Sequence, residues 1–76
     1  MKTYTYRTII EPDEDGYHGF VPLLKGVHTW GGTVTETKKN LAEAIQTHLE
    51  GLLKDGVKPL QQRDAIEEIQ IVTLHA

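Results

Sequence analysis

Four histidines, a run of carboxylates and one tryptophan are the side chains with the most chemistry to offer in this chain. His18 and His28 stand on segments rich in β-branched and aromatic residues. If those segments pair as strands, the two imidazoles come together, and two histidines are half of a tetrahedral zinc site. No motif supplies a third ligand, and there is no cysteine to do so. His48 falls within an apolar stripe and reads as a core or interface histidine. A small metal- or ligand-binding protein using His18 and His28 is therefore kept as a second reading, and no metal site is assigned.

Glu11, Asp13 and Asp15 followed by Gly16 imitate the first half of a calcium-binding loop. The twelfth position of such a loop needs a bidentate glutamate, and here it is Pro22. The segment after Gly16 also reads as strand, not helix. A solvated hairpin turn accounts for these residues, with proline presetting φ and the acidic side chains bracing nearby backbone. Covalent catalysis lacks a nucleophile: the chain has no cysteine and no serine, and its threonines sit where β propensity explains them. Gly31-Gly32-Thr33 lacks the lysine and spacing of a phosphate-binding loop. No catalytic residue and no cofactor is expected. Trp30 is either core or an interface anchor, the residue type most enriched at binding hot spots.

The elements that must position these residues follow from periodicity and punctuation. Residues 3–10, Thr-Tyr-Thr-Tyr-Arg-Thr-Ile-Ile, alternate with period two and predict a first strand. Residues 11–16 predict a turn, and residues 17–21 a second, antiparallel strand ended by Pro22. Gly26 permits the next turn, Val27–Trp30 predicts a third strand, and Gly31-Gly32 leads out of the sheet. Thr33 and Glu36 form a capping-box pattern. Val34, Thr37, Leu41, Ala44, Ile45, His48, Leu49 and Leu52 share one side of the helix that follows. Asp55-Gly56 and Pro59 end it. Residues 60–66 read as an irregular crossing or one helical turn. Residues 67–74 alternate again and predict a fourth strand.

The expected fold is thus α+β: one βββαβ domain over residues 1–76, with a mixed four-stranded sheet and one helix on one face. A helical crossover joins parallel strands in a right-handed sense, so the fourth strand belongs beside the first and the order is 3-2-1-4. The face without the helix meets water or another chain. An exposed edge, strand 3 or strand 4, offers a route to a homodimer.

Composition narrows the class. A domain of 76 residues buries only about 60% of its unfolded surface, so a partner or second copy adds useful stability. A net charge of −3 argues against non-specific nucleic-acid binding, which needs clustered positive charge. It suits a basic protein partner better. No stretch reaches the roughly 18 apolar residues of a membrane span, and no signal peptide is seen, so a cytoplasmic location is expected.

Asp15-Gly16-Tyr17, Phe20-Val21-Pro22, Gly26, Trp30-Gly31-Gly32-Thr33, Glu36, Asn40, Glu43 and Ala44 occur in the order and spacing of one family. In these residues the chain resembles the HicB-like antitoxins, over about residues 3–74. Leu23, Lys25, Val27 and Thr37 depart from that family's usual aspartate, proline, cysteine and alanine. The resemblance implies a partial ribonuclease-H-like fold without catalysis. It also implies a small basic HicA-like toxin as partner, an mRNA-cleaving enzyme that the chain would bind and mask. Many such antitoxins add a C-terminal operator-binding domain; this chain ends after the fourth strand, so no direct DNA binding is expected. The residues expected at the toxin interface are Glu11, Asp13, Glu14 and Asp15 for charge, and Tyr17, His28 and Trp30 for apolar contact. An orphan homo-oligomer is the alternative.

Overall fold

The computed structural model describes residues 2–61, 66 and 68–75. Three strands, β1 (Ile9–Asp13), β2 (Gly16–Phe20) and β3 (His28–Gly31), precede one helix, α1 (Val34–Lys54). The strands form an antiparallel sheet of order β1-β2-β3, and α1 covers one face of it.

The first strand lies later in the chain than its residue types predict. It takes in Glu11-Pro12-Asp13, and residues 3–8 stay outside it. The reason is the partner. β2 ends at Phe20, paired with Ile9, and Val21 turns away into a loop, where its amide donates to Val27 O. Residues 3–8 have strand propensity, but β2 extends no ladder to them. Pro12 is tolerated because β1 is an edge strand. The turn shrinks to Glu14-Asp15, closed by the pair Asp13↔Gly16 and braced by the Glu14 amide on Asp13 Oδ1 at 2.9 Å.

The loop between β2 and β3 is part of the core. Leu24 N donates to Val21 O and Val27 N to Leu24 O, which folds three apolar side chains inward. Gly26 takes φ +87°, a conformation that only glycine adopts without strain. Val21, Leu24 and Val27 bury against Leu41 of α1, flanked by Tyr6, Leu23, Ala44 and Ile45.

The helix obeys its sequence signals at both ends. Thr33 Oγ1 accepts from the Glu36 amide at 3.0 Å. Glu36 reaches back one residue further than in the usual capping box, to the Gly32 amide. At the other end Val57 N bonds Leu52 O, Gly56 N bonds Leu53 O, and Gly56 takes φ +75°. This is a Schellman ending. The predicted stripe faces the sheet except at its first residue: Thr37 and Leu41 are buried, Ala44 to Leu52 half-buried, and Val34 exposed.

The predicted fourth strand is not formed by residues 68–74, which have no regular secondary structure and are exposed. Residue 67 lies outside the described residues, as do 62–65 of the stretch left open above. The described sheet is accordingly three-stranded and antiparallel, in the predicted order 3-2-1.

Candidate partner-binding face

Two glycines decide which face of the sheet the helix occupies. A Cβ on Gly19 would lie 2.9 Å from Thr37 Cγ2, and one on Gly31 would lie 2.6 Å from Thr37 Oγ1 and 2.8 Å from its backbone nitrogen. These positions must be bare for α1 to pack so closely. Side chains alternate along a strand, so the neighbours of these glycines project from the opposite, helix-free face.

Register then builds that face in two rows across the three strands. Glu11, His18 and Trp30 are cross-strand neighbours in one row; Ile9, Phe20 and His28 form the next. His18 stacks on Phe20 with ring centroids 5.5 Å apart and 22° between planes. It meets His28 diagonally at 5.6 Å. Glu11 Oε1 stands 3.9 Å from His18 Nδ1, an ion pair only when the imidazole is protonated. Trp30 is 50% exposed, high for so large an apolar side chain. A hollow of about 430 Å³ continues from His18, Phe20 and His28 to Pro22 and Lys25.

Trp30 is held from two sides. Asn40 of α1 donates to its carbonyl oxygen at 3.0 Å. Gly16 makes room for its ring: a Cβ there would lie 2.5 Å from Trp30 Cζ2. The tryptophan is thus an anchored, half-exposed aromatic on a pleated platform. It is neither a core residue nor a loose one.

Of the residues predicted for an interface, Glu11, His28 and Trp30 come together on this face, and Asp13 shares it by strand alternation. Glu14 and Asp15 form the adjoining turn tip, exposed to solvent. Tyr17 is separated from them. It alternates with His18 and shares the helix side with Gly19. Ile9 and Phe20 complete the platform and were not singled out in the sequence. The signal that finds them is the phase of the strand, which Gly19 and Gly31 reveal once they are read as helix contacts. His18 and His28 do converge, as a metal reading requires. Among the described residues, however, no three His, Asp or Glu side chains are grouped to hold a metal ion.

With this geometry in place, comparison with known proteins decides the family. The family model described as "HicB_like antitoxin of bacterial toxin-antitoxin system" matches residues 6–73. The chain belongs to the HicB-like antitoxin family. A UPF0150 protein of Synechocystis is 39% identical over 64 residues, covering 83% of this chain and 80% of that protein. One of Thermotoga maritima is 35% identical over 72 residues, covering 95% and 93%. One of Helicobacter pylori is 38% identical over 58 residues, covering 76% and 81%. No solved structure matches. No helix among the described residues is long and apolar enough to cross a membrane.

Proposed function

We propose that this antitoxin-family chain binds and masks a small, basic, HicA-like mRNA-cleaving toxin through the helix-free face of its sheet. The observation that carries the reading is the cluster of His18, Phe20, His28 and half-exposed Trp30 beside the carboxylates of Glu11, Asp13, Glu14 and Asp15. An enzyme that cleaves RNA presents a cationic surface to phosphate. The acidic turn complements that surface and steers encounter, while the aromatic platform supplies desolvated contact area. Masking needs no bond-making by the antitoxin; it excludes RNA by occupying the surface RNA would use. The chain is accordingly a non-catalytic binding domain acting in the cytoplasm, on a partial ribonuclease-H-like scaffold, with no cofactor. Its net charge of −3 favours a basic protein over nucleic acid as direct partner.

The test is co-expression with the small basic protein encoded next to it, followed by calorimetry on the purified pair. Trp30→Ala is expected to weaken binding about 30-fold, as truncation of a hot-spot tryptophan does at about 2 kcal/mol. Neutralising Asp13, Glu14 and Asp15 together is expected to slow association and flatten its salt dependence. Unchanged affinity in both variants refutes the assigned face. Absence of any co-purifying basic protein refutes the toxin-masking reading.

A further inference from the structure

The hydrogen-bond phase of β3 shows which backbone groups its outer edge offers. No strand lies outside it among the described residues. The Val21 amide donates to Val27 O, and the register runs on through Phe20↔His28, Gly19↔Thr29 and His18↔Trp30. Bonded and non-bonded pairs alternate along an antiparallel ladder. Thr29 and Gly31 are therefore bonded to β2, while the N–H and C=O of His28 and Trp30 point outward. The helix bears out this phase, because Asn40 reaches the Trp30 carbonyl from the outer side. With Trp30 O taken, the edge offers His28 N–H, His28 O and Trp30 N–H. β3 carries neither proline nor lysine, two devices that keep a free edge from pairing.

The space beside this edge suits one kind of side chain. A hollow of about 570 Å³ lies between β3 and α1, lined by Thr29, Asn40, Glu43, Thr47 and His48 among others. No lysine or arginine lines it, and Glu43 is its carboxylate. Thr29 shares the helix side of the sheet with Gly19 and Gly31. A strand bonded to His28 from outside sets one residue opposite Thr29. That pair is non-hydrogen-bonded, the kind in which side chains stand closer. Its side chain enters the hollow, and the residues before and after it come up beside the Trp30 and His28 rings on the other face. A long side chain with an apolar stem and a cationic head spans the gap from strand to Glu43.

The geometry points to β3 as the receiving edge for a strand of the basic partner. That strand runs antiparallel to β3, with a lysine or arginine opposite Thr29 and an apolar residue on either side of it. Main-chain bonds to His28 and Trp30 supply affinity, and the alternating side chains supply specificity. The cation meets Glu43, and the apolar neighbours extend the platform of His28 and Trp30. This deepens the proposed function and rests on its basic partner. A second copy of β3 is the poorer occupant, since His28-Thr29-Trp30-Gly31 brings no cation to the hollow.

The test titrates the isotope-labelled full chain with a blocked heptapeptide, followed by amide resonances. The peptide has valine at its odd positions and a central lysine between two threonines. The His28 and Trp30 amides are expected to move, and those of Thr29 and Gly31, already bonded to β2, to move less. Glu43 is exposed, so Glu43→Gln is expected to weaken this peptide about threefold and no more. A peptide with glutamate in place of the lysine is expected to bind the parent more weakly and to regain affinity for Glu43→Gln. Methylating the fifth peptide amide, which reaches His28 O, is expected to abolish binding. Unmoved His28 and Trp30 amides at millimolar peptide overturn the proposal, as do equal responses to the lysine and glutamate peptides. So does exchange protection of those amides that rises with the concentration of the chain alone, which puts a second copy on the edge. In the co-purified pair the same two amides are expected to gain protection. A basic protein that binds and leaves them unprotected overturns the edge and spares the masking reading. If no basic protein co-purifies, the masking reading falls and the peptide titration decides the edge by itself.

Discussion

Replacing Gly31 by alanine tests the idea that two bare backbone positions set the phase of the whole sheet. The added Cβ would lie 2.6 Å from Thr37 Oγ1, 2.8 Å from Thr37 N and 3.0 Å from Thr37 Cα. Optimal contacts to carbon lie at about 3.5–4.0 Å. Two of the three opposing atoms are helix backbone, so no rotamer change relieves the clash. β3 and the first turn of α1 must separate by several tenths of an ångström. Gly31 has no positive φ, so backbone strain contributes nothing and the effect is steric. Overpacking of this kind costs about 1–3 kcal/mol. A chain of 76 residues has roughly 4–11 kcal/mol in total.

At about 4–8 °C per kcal/mol for a domain of this size, Tm is expected to fall by roughly 5–20 °C in a far-UV circular dichroism melt. A double variant locates the cause. Thr37→Ala alone removes the hydroxyl that donates to Thr33 O at 2.7 Å and costs about 1 kcal/mol. Combined with Gly31→Ala it relieves the closest contact but leaves the two backbone contacts. The pair is expected to couple by about 0.5–1.5 kcal/mol, short of full rescue. A Gly31→Ala protein that melts within about 2 °C of the parent refutes the close approach of β3 to α1. With it falls the assignment of the opposite face to Glu11, His18 and Trp30.

Other substitutions separate effects that Gly31→Ala combines. Gly51 lies in the last turn of α1 with open space where a Cβ would go, so Gly51→Ala is expected to stabilise by up to about 1 kcal/mol in a urea titration. Gly26 has equal space but φ +87°, so Gly26→Ala is expected to destabilise by about 1 kcal/mol through conformation alone. Thr33→Ala removes the hydroxyl that caps α1 and is expected to lower stability by about 1 kcal/mol in the same titration. Gly16→Ala crowds the Trp30 ring and Gly31 O, and is expected to shift the emission maximum of this sole tryptophan.

The helix and the middle of the sheet were legible because their signals are local. A threonine cap, a glutamate three residues on, an apolar stripe and an Asp-Gly ending act within one turn of chain, and each is seen where the residues predict it. Proline and glycine stopped β2 for equally local reasons. Residues 3–8 and 68–74 carry the same signal that succeeded elsewhere and lie outside the described strands. Alternating β-branched residues report compatibility with a pleated surface, not the presence of a neighbour. A strand needs a ladder, and the ladder for residues 3–8 ends where Val21 turns into its loop. Tyr6 spends its side chain on Leu60 instead. The platform was half legible. His18, His28 and Trp30 follow from residue type, but Ile9 and Phe20 require the phase of β2, which depends on the distant contact between Gly19 and Thr37.

On the proposed function, that contact also gives a reason for binding to fall to one face of so small a domain. Among the described residues, four make up the buried apolar core, three of them from a single loop. In its middle, the helix side of the sheet is closed where the bare Gly19 and Gly31 pack against Thr37 and Leu41. The other side carries aromatic and histidine rings that the fold itself does not need for its core. Burying apolar surface there in the monomer would require a second helix that the described chain lacks. A partner laid over Phe20, His28 and Trp30 supplies that missing layer, and whatever binds the folded state alone also stabilises it. On that reading, partner recognition and completion of the sandwich are one event.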